Sequence, residues 1–173
     1  MTTFLLLASI SIFRMGGDIR VADAPNGAVL RTMGGDIVVT RAAGRVIAKT
    51  MGGNIDILSL DGSADVATMG GEIHVSVDGR GPGHDLDLAS MGGEIELTLP
   101  ANFDGDITVE LEEGDGNQGH RVISDFPLNV STSTRWHWFG GRRVVQTATG
   151  RLGSGANRVR ITTIGSDIVI RKK

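Results

Sequence analysis

The chain has 173 residues, 40% of them hydrophobic, with 26 glycines, 4 prolines and no cysteine; this is one packed domain's worth of sequence, and it excludes collagen, a disordered chain, a disulfide framework and thiolate metal sites. The formal charge of −3 is uneven, with −5 over residues 1–100, −6 over 101–120 and +8 over 121–173. Such asymmetry fits an anionic partner or two regions that attract each other within or between subunits, while the lack of aromatics interleaved along the basic stretch argues against nucleic acid.

The first apolar run, Phe4 to Phe13, is too short to span a bilayer, and no other segment is a transmembrane candidate. No Lys or Arg precedes it and no small-x-small cleavage site follows, so it reads as a first strand in preference to a signal-peptide core.

From there the chain repeats. Met-Gly-Gly-[Asp/Asn/Glu]-Ile begins at Met15, Met33, Met51, Met69 and Met91, first every 18 residues and then after 22, and Ile164-Gly165-Ser166-Asp167-Ile168 is a degenerate sixth copy. Apolar residues fall four and six positions after each Met (Ile19/Val21, Ile37/Val39, Ile55/Ile57, Ile73/Val75, Ile95/Leu97). They also fall five and three positions before it (Ile10/Ile12, Ala28/Leu30, Val46/Ala48, Ala64/Val66, Leu86/Leu88). A period of two means strands, and a fixed repeat of this length means that each unit stacks on the next. The expected fold is all-β, a single-chain parallel β-solenoid with coils of about 18 residues, two strands and two corners each. Helices are excluded, because three-four spacing is absent and each Gly-Gly pair would cost a helix about 2 kcal/mol.

Within a coil, the Met is expected to fill the inside of a corner and the Gly-Gly pair to permit its bend. Thr32, Thr50, Thr68, Ser90 and Thr163 form a ladder whose hydroxyls can serve corner backbone groups. Asp18, Asp36, Asn54, Glu72, Glu94 and Asp167 precede inward residues and so form an outward polar column. Asp18, Asp36, Glu72 and Glu94 are the Ca²⁺ candidates of that column. Asn54 interrupts the charge and the β-roll nonapeptide is missing, so a solvated column outweighs a metal site and no metal is assigned.

Past Leu111 the rhythm is lost. Gly114-Asp115-Gly116-Asn117-Gln118-Gly119 matches the dinucleotide fingerprint only formally, since no strand-turn-helix unit surrounds it, and no cofactor is expected. Trp136, His137, Trp138 and Phe139, flanked by Arg135, Arg142 and Arg143, form either the plug of a cap or a contact surface for sugars or protein. The expected organisation is therefore regular coils over 1–111, an irregular capping insertion over 112–158, and the final strands over 159–173. His74, His84, His120 and His137 lack ligand spacing, no nucleophile elbow occurs, and no catalytic residue is assigned.

The chain resembles the bacterial adhesin-like β-strand-repeat proteins, a domain family of unknown function. The resemblance rests on Thr32-Met33-Gly34-Gly35-Asp36-Ile37 and its copies, on Glu94 to Pro100, on Ser124-Asp125-Phe126-Pro127-Leu128, and on Gly155 to Lys172. It implies an extracellular or cell-envelope solenoid with no established catalytic site. Relatives carry an export signal and earlier strands, so export is implied by the resemblance and not by these residues. The function expected is a non-enzymatic cell-surface structural protein. It would self-assemble head to tail into filaments through terminal coils, with Phe4, Leu5, Leu7, Ile10 and Ile12 at one end and Ile168 and Ile170 at the other. The alternatives are a monomeric binding module for polysaccharide, envelope components or protein, using Trp136, His137, Trp138, Phe139, Arg142 and Arg143, and a regulatory scaffold of the envelope-stress kind.

Overall fold

The computed structural model describes residues 9–79, 82–114, 119–137 and 141–173, and of residues 135–137 and 141–142 the backbone path. All regular structure in these residues is β. In chain order the strands are β1 (Ile10–Phe13), β2 (Ile19–Ala24), β3 (Ala28–Arg31), β4 (Ile37–Ala43), β5 (Val46–Lys49), β6 (Ile55–Asp61), β7 (Ala64–Thr68) and β8 (Ile73–Val77). There follow β9 (Leu86–Ser90), β10 (Ile95–Leu99), β11 (Gly105–Glu113), β12 (Val122–Ser124), β13 (Asn129–His137), β14 (Gly141–Leu152), β15 (Asn157–Ile164) and β16 (Ile168–Lys172).

They form two sheets, in the orders β1-β3-β5-β7-β9-β15-β11-β14-β13 and β2-β4-β6-β8-β10-β16-β12. Pairing is parallel throughout, except that β14 runs antiparallel to both β11 and β13. Up to β10, successive strands alternate between the sheets and each pairs with the strand two before it. Corresponding residues lie in register: Ile19, Ile37, Ile55, Ile73, Ile95 and Ile168 make one row. Ile10, Ala28, Val46, Ala64, Leu86, Val159 and Ile107 make another. These rows bury the Ile, Val, Leu and Ala side chains as one core between the sheets. The alternation read from the sequence is the burial pattern observed.

Three expectations need correction. The methionines do not fill the corner. Met15, Met33, Met51, Met69 and Met91 are 49% to 87% exposed, because Thr32, Thr50, Thr68 and Ser90 occupy the inward position just before them. Alternation then points the next side chain outward. The corner's inside holds backbone: a Cβ on Gly35, Gly53, Gly71 or Gly93 would lie 1.9–2.2 Å from the carbonyl oxygen of the glycine one repeat below.

Residues 112–158 are not irregular, for they include β12 and the β13–β14 hairpin, which extends the first sheet. The last two strands, finally, are not the end of the stack. β15 lies between β9 and β11, and β16 between β10 and β12. Ile168 and Ile170 are consequently buried with neighbours on both sides, which removes them as residues of an assembling end. Phe4, Leu5 and Leu7 lie outside the described residues.

Candidate functional site

The side chains repeated in every unit are largely occupied in joining one unit to the next. Thr32, Thr50 and Thr68 donate their hydroxyls to the carbonyls of Gly17, Gly35 and Gly53 at 3.0–3.1 Å, and Ser90 donates to Gly71 at 3.2 Å. The hydroxyl oxygens of Thr50, Thr68 and Ser90 in turn accept the N–H groups of Gly53, Gly71 and Gly93 respectively. Tight corners leave these backbone groups without strand partners, and the hydroxyls satisfy them. Thr163 is the exception: its hydroxyl is buried without a partner among the described residues.

The outward column behaves likewise. Asp18 Oδ1 accepts the N–H of Asp36 at 3.1 Å, Asp36 Oδ1 that of Asn54 at 2.8 Å, and Asn54 Oδ1 that of Glu72 at 2.9 Å. Asp167 does the same for Arg121 at 2.8 Å. Asn54 is thus no interruption, because its amide oxygen does what the carboxylates do. Of the Ca²⁺ candidates, Asp18 and Asp36 are acceptors in this ladder, while Glu72 and Glu94 stand above them in the column. Among the described residues no three His, Cys, Asp or Glu side chains gather as a metal site would require.

The outer face of the second sheet carries a charged row. His74 Nδ1 lies 3.1 Å from Asp56 Oδ1 and its Nε2 3.7 Å from Glu96 Oε2, while Arg171 Nε reaches Glu96 Oε1 at 2.5 Å. These cross-strand neighbours are exposed enough to contribute little each. His84 differs: it is buried, and its Nε2 lies 3.0 Å from Asp61 Oδ1 while its N–H donates to Asn157 Oδ1.

At the base of the hairpin, Asp104 accepts the N–H groups of Ala156 and Gly155 and the hydroxyl of Ser154. These bonds, that to Ala156 foremost, hold its carboxyl below the usual range. Asp106 is lowered chiefly by its bidentate hydrogen bonds from Arg151, at 2.7 and 2.9 Å. Asp78 is lowered chiefly by its hydrogen bond from Lys173.

A groove of about 370 Å³ lies where β5, β7, β9 and β15 of the first sheet begin, lined by Arg45, Ser63, Asp65, Asp85, Asp87, Arg158 and Arg160 among others. Asp65 is paired with Lys49 at 3.2 Å and Asp85 accepts the N–H of Arg158. The guanidinium groups of Arg45, Arg158 and Arg160 have no ion pair with a described residue. No sequence motif marked this groove; Arg45, Asp65, Asp85 and Asp87 meet through the regular pairing of β5, β7 and β9, and Arg158 and Arg160 join them through the pairing of β9 with β15.

Trp136 and His137 lie on β13 and Arg142 on β14, opposite one another, while Trp138 and Phe139 lie outside the described residues. Arg143 pairs with Glu112 at 3.2 Å. The buried aromatics among the described residues are Phe103 and Phe126. No helix of the described residues is long and apolar enough to cross a membrane. No family model, curated protein or solved structure matches the chain.

Proposed function

We propose that the protein is a β-solenoid of the adhesin-like kind, acting as a non-enzymatic structural component of the cell surface or envelope. The observation that carries this reading is the use made of the repeated polar side chains. The Asp, Asn, Thr and Ser of each unit are hydrogen-bonded to the backbone of a neighbouring unit, so the repeat is specialised for cohesion and rigidity. Self-association extends the reading. β1 and β2 are the outermost described strands at one end and have one partner each, and unpaired edges add strands readily. At the other end β14 and β13 carry the first sheet two strands beyond β12, a stepped profile that a flat end does not match. Association through the β1/β2 ends of two copies is therefore favoured over an endless head-to-tail filament. Sedimentation velocity across a range of concentrations tests this. A reversible dimer weakened by Ile12→Lys supports association, and a concentration-independent monomer refutes it.

A second reading, a monomeric binding module for polysaccharide, is favoured by the three Arg side chains around the 370 Å³ groove. The chemistry fits a carboxylated sugar polymer, whose acid groups meet Arg and whose hydroxyls meet Asp65, Asp85 and Asp87. Binding of polygalacturonate that is lost in Arg158→Ala/Arg160→Ala is the expected result, and equal binding by that variant refutes the reading.

A further inference from the structure

We propose that the five methionines form a site for a soft monovalent metal ion, Cu(I), held by pairs of thioethers from neighbouring rungs. The protein has six methionines. Apart from Met1, all of them stand on this one exposed line, and they supply five of the nine large hydrophobic side chains exposed among the described residues. The core, built from Ile, Val, Leu, Ala and two Phe, contains none. The residue chosen elsewhere for filling gaps is here kept out of the interior and placed in water.

Apolarity does not explain that choice. Other positions of the repeat drift among chemical equivalents: Asp, Asn and Glu in the outward column, Ile, Val and Leu in the core rows. The ridge keeps Met in five copies, although Leu or Ile would present as much apolar surface. What Met has and they lack is sulfur.

The residue after each Met points the same way. Gly16, Gly34, Gly52, Gly70 and Gly92 have no positive φ, and a Cβ on any of the first three would meet nothing within 4 Å; Gly70 and Gly92 would see only ordinary contact. The fold does not require these five glycines, in contrast to the second glycine of each pair. Their effect is to leave the flank of every Met bare, so that unbranched side chains with three rotors can swing together. Rungs lie about 4.8 Å apart, and the stacking of Gly35 on Gly17, Gly53 on Gly35 and Gly71 on Gly53 keeps the methionines in line. Two adjacent sulfurs can then close on one ion. Thioethers select soft ions such as Cu(I) over hard ions such as Ca²⁺ or Mg²⁺, and the chain has no Cys to compete. The positive charge gained lies three residues along from Asp18, Asp36, Glu72 and Glu94, whose carboxylates offset it.

Ag(I), which shares this coordination chemistry without redox activity, is the probe. The full chain is titrated with Ag(I) by calorimetry, with the Met methyl resonances followed in protein labelled at those carbons. Cu(I) is then competed against a chromophoric chelator under reductant. The expected result is binding that shifts the methyl signals of Met33, Met51 and Met69, and apparent affinity about tenfold or more weaker in Met33→Leu/Met51→Leu/Met69→Leu. The triple variant should melt like the native protein, since it changes exposed side chains only. Absence of Ag(I) binding by the native chain, binding that persists in the leucine variant, or shifts confined to Met1 would each overturn the proposal. Persistence would assign the ion to other donors, histidine foremost.

Discussion

The part of the molecule up to β10 and the part from β11 onward are built from the same kind of strand by opposite kinds of connection. In the first, strands pair with those one repeat away, typically 18 residues, and hydrogen bonds such as Asn54 to Asp36 span the same interval. In the second, the strand that sits on β9 comes from beyond residue 156, and Arg158 reaches Asp85 across 73 residues. Closing the longer loop costs about 1 kcal/mol more by chain entropy alone. The pairing also replaces local repetition by a contact that must be found late. Regular stacking is self-propagating, whereas the upper part has to be assembled around an inserted rung.

The sharpest way to separate the two parts is to bury a charge in each. Ile55→Asp and Ile161→Asp both place a carboxylate in a row with no solvent access, at an expected cost of about 4 kcal/mol or more. Hydrogen exchange should show Ile161→Asp releasing β11 to β16 while β3 to β6 stay protected. Uniform loss of protection would mean that the parts do not differ.

Next come the paired glycines. Gly53→Ala forces a Cβ to within 2.1 Å of the Gly35 carbonyl oxygen, and should destabilise by about 2–3 kcal/mol in urea titrations. Gly52→Ala should stay within about 0.5 kcal/mol. The hydroxyl ladder follows. Thr68→Val removes a donor to Gly53 and an acceptor for Gly71, at a cost of about 1–3 kcal/mol. Thr163→Val, whose hydroxyl has no described partner, should be neutral or stabilising.

The smallest effect is acid sensitivity. Asp104 and Asp106 have lowered pKa values in the folded chain. They therefore stabilise it above their ordinary value of 3.8 and lose that contribution as pH falls through the lower, folded-state values. Thermal melts between pH 5 and pH 2 should fall less steeply in Asp104→Asn than in the native protein. Parallel curves would show that the hairpin base does not titrate with folding.

Much of the fold was legible because parallel stacking repeats one local rule. Ile37, Ile55 and Ile73 could be aligned by counting, and they pair in register. The orientation of the methionines was legible too, had the alternation been carried from Leu30 through Thr32; treating the corner as an interruption of the strand concealed it. The place of β15 was not legible. Val159, Ile161 and Thr163 carry the pattern of any rung, and nothing in a strand's own residues says which neighbours it will join. The groove was hidden for the same reason, since Arg158 and Arg160 join Arg45, Asp65, Asp85 and Asp87 only once that long-range pairing is made. The hairpin escaped notice because β13 and β14 are rich in Ser, Thr, Arg and Gln and, among their described side chains, bury only Val145 and Ala148, so no hydrophobic period marks them.

The inserted rung also orders events at the ribosome. Residues 157–172 emerge after every other described strand, yet they lie between partners translated earlier. Until they arrive, the Leu88 row and the Val109 row face a vacant slot. A chain that still lacks these residues exposes two aliphatic rows to chaperones and proteases, so it is their arrival that closes the wall.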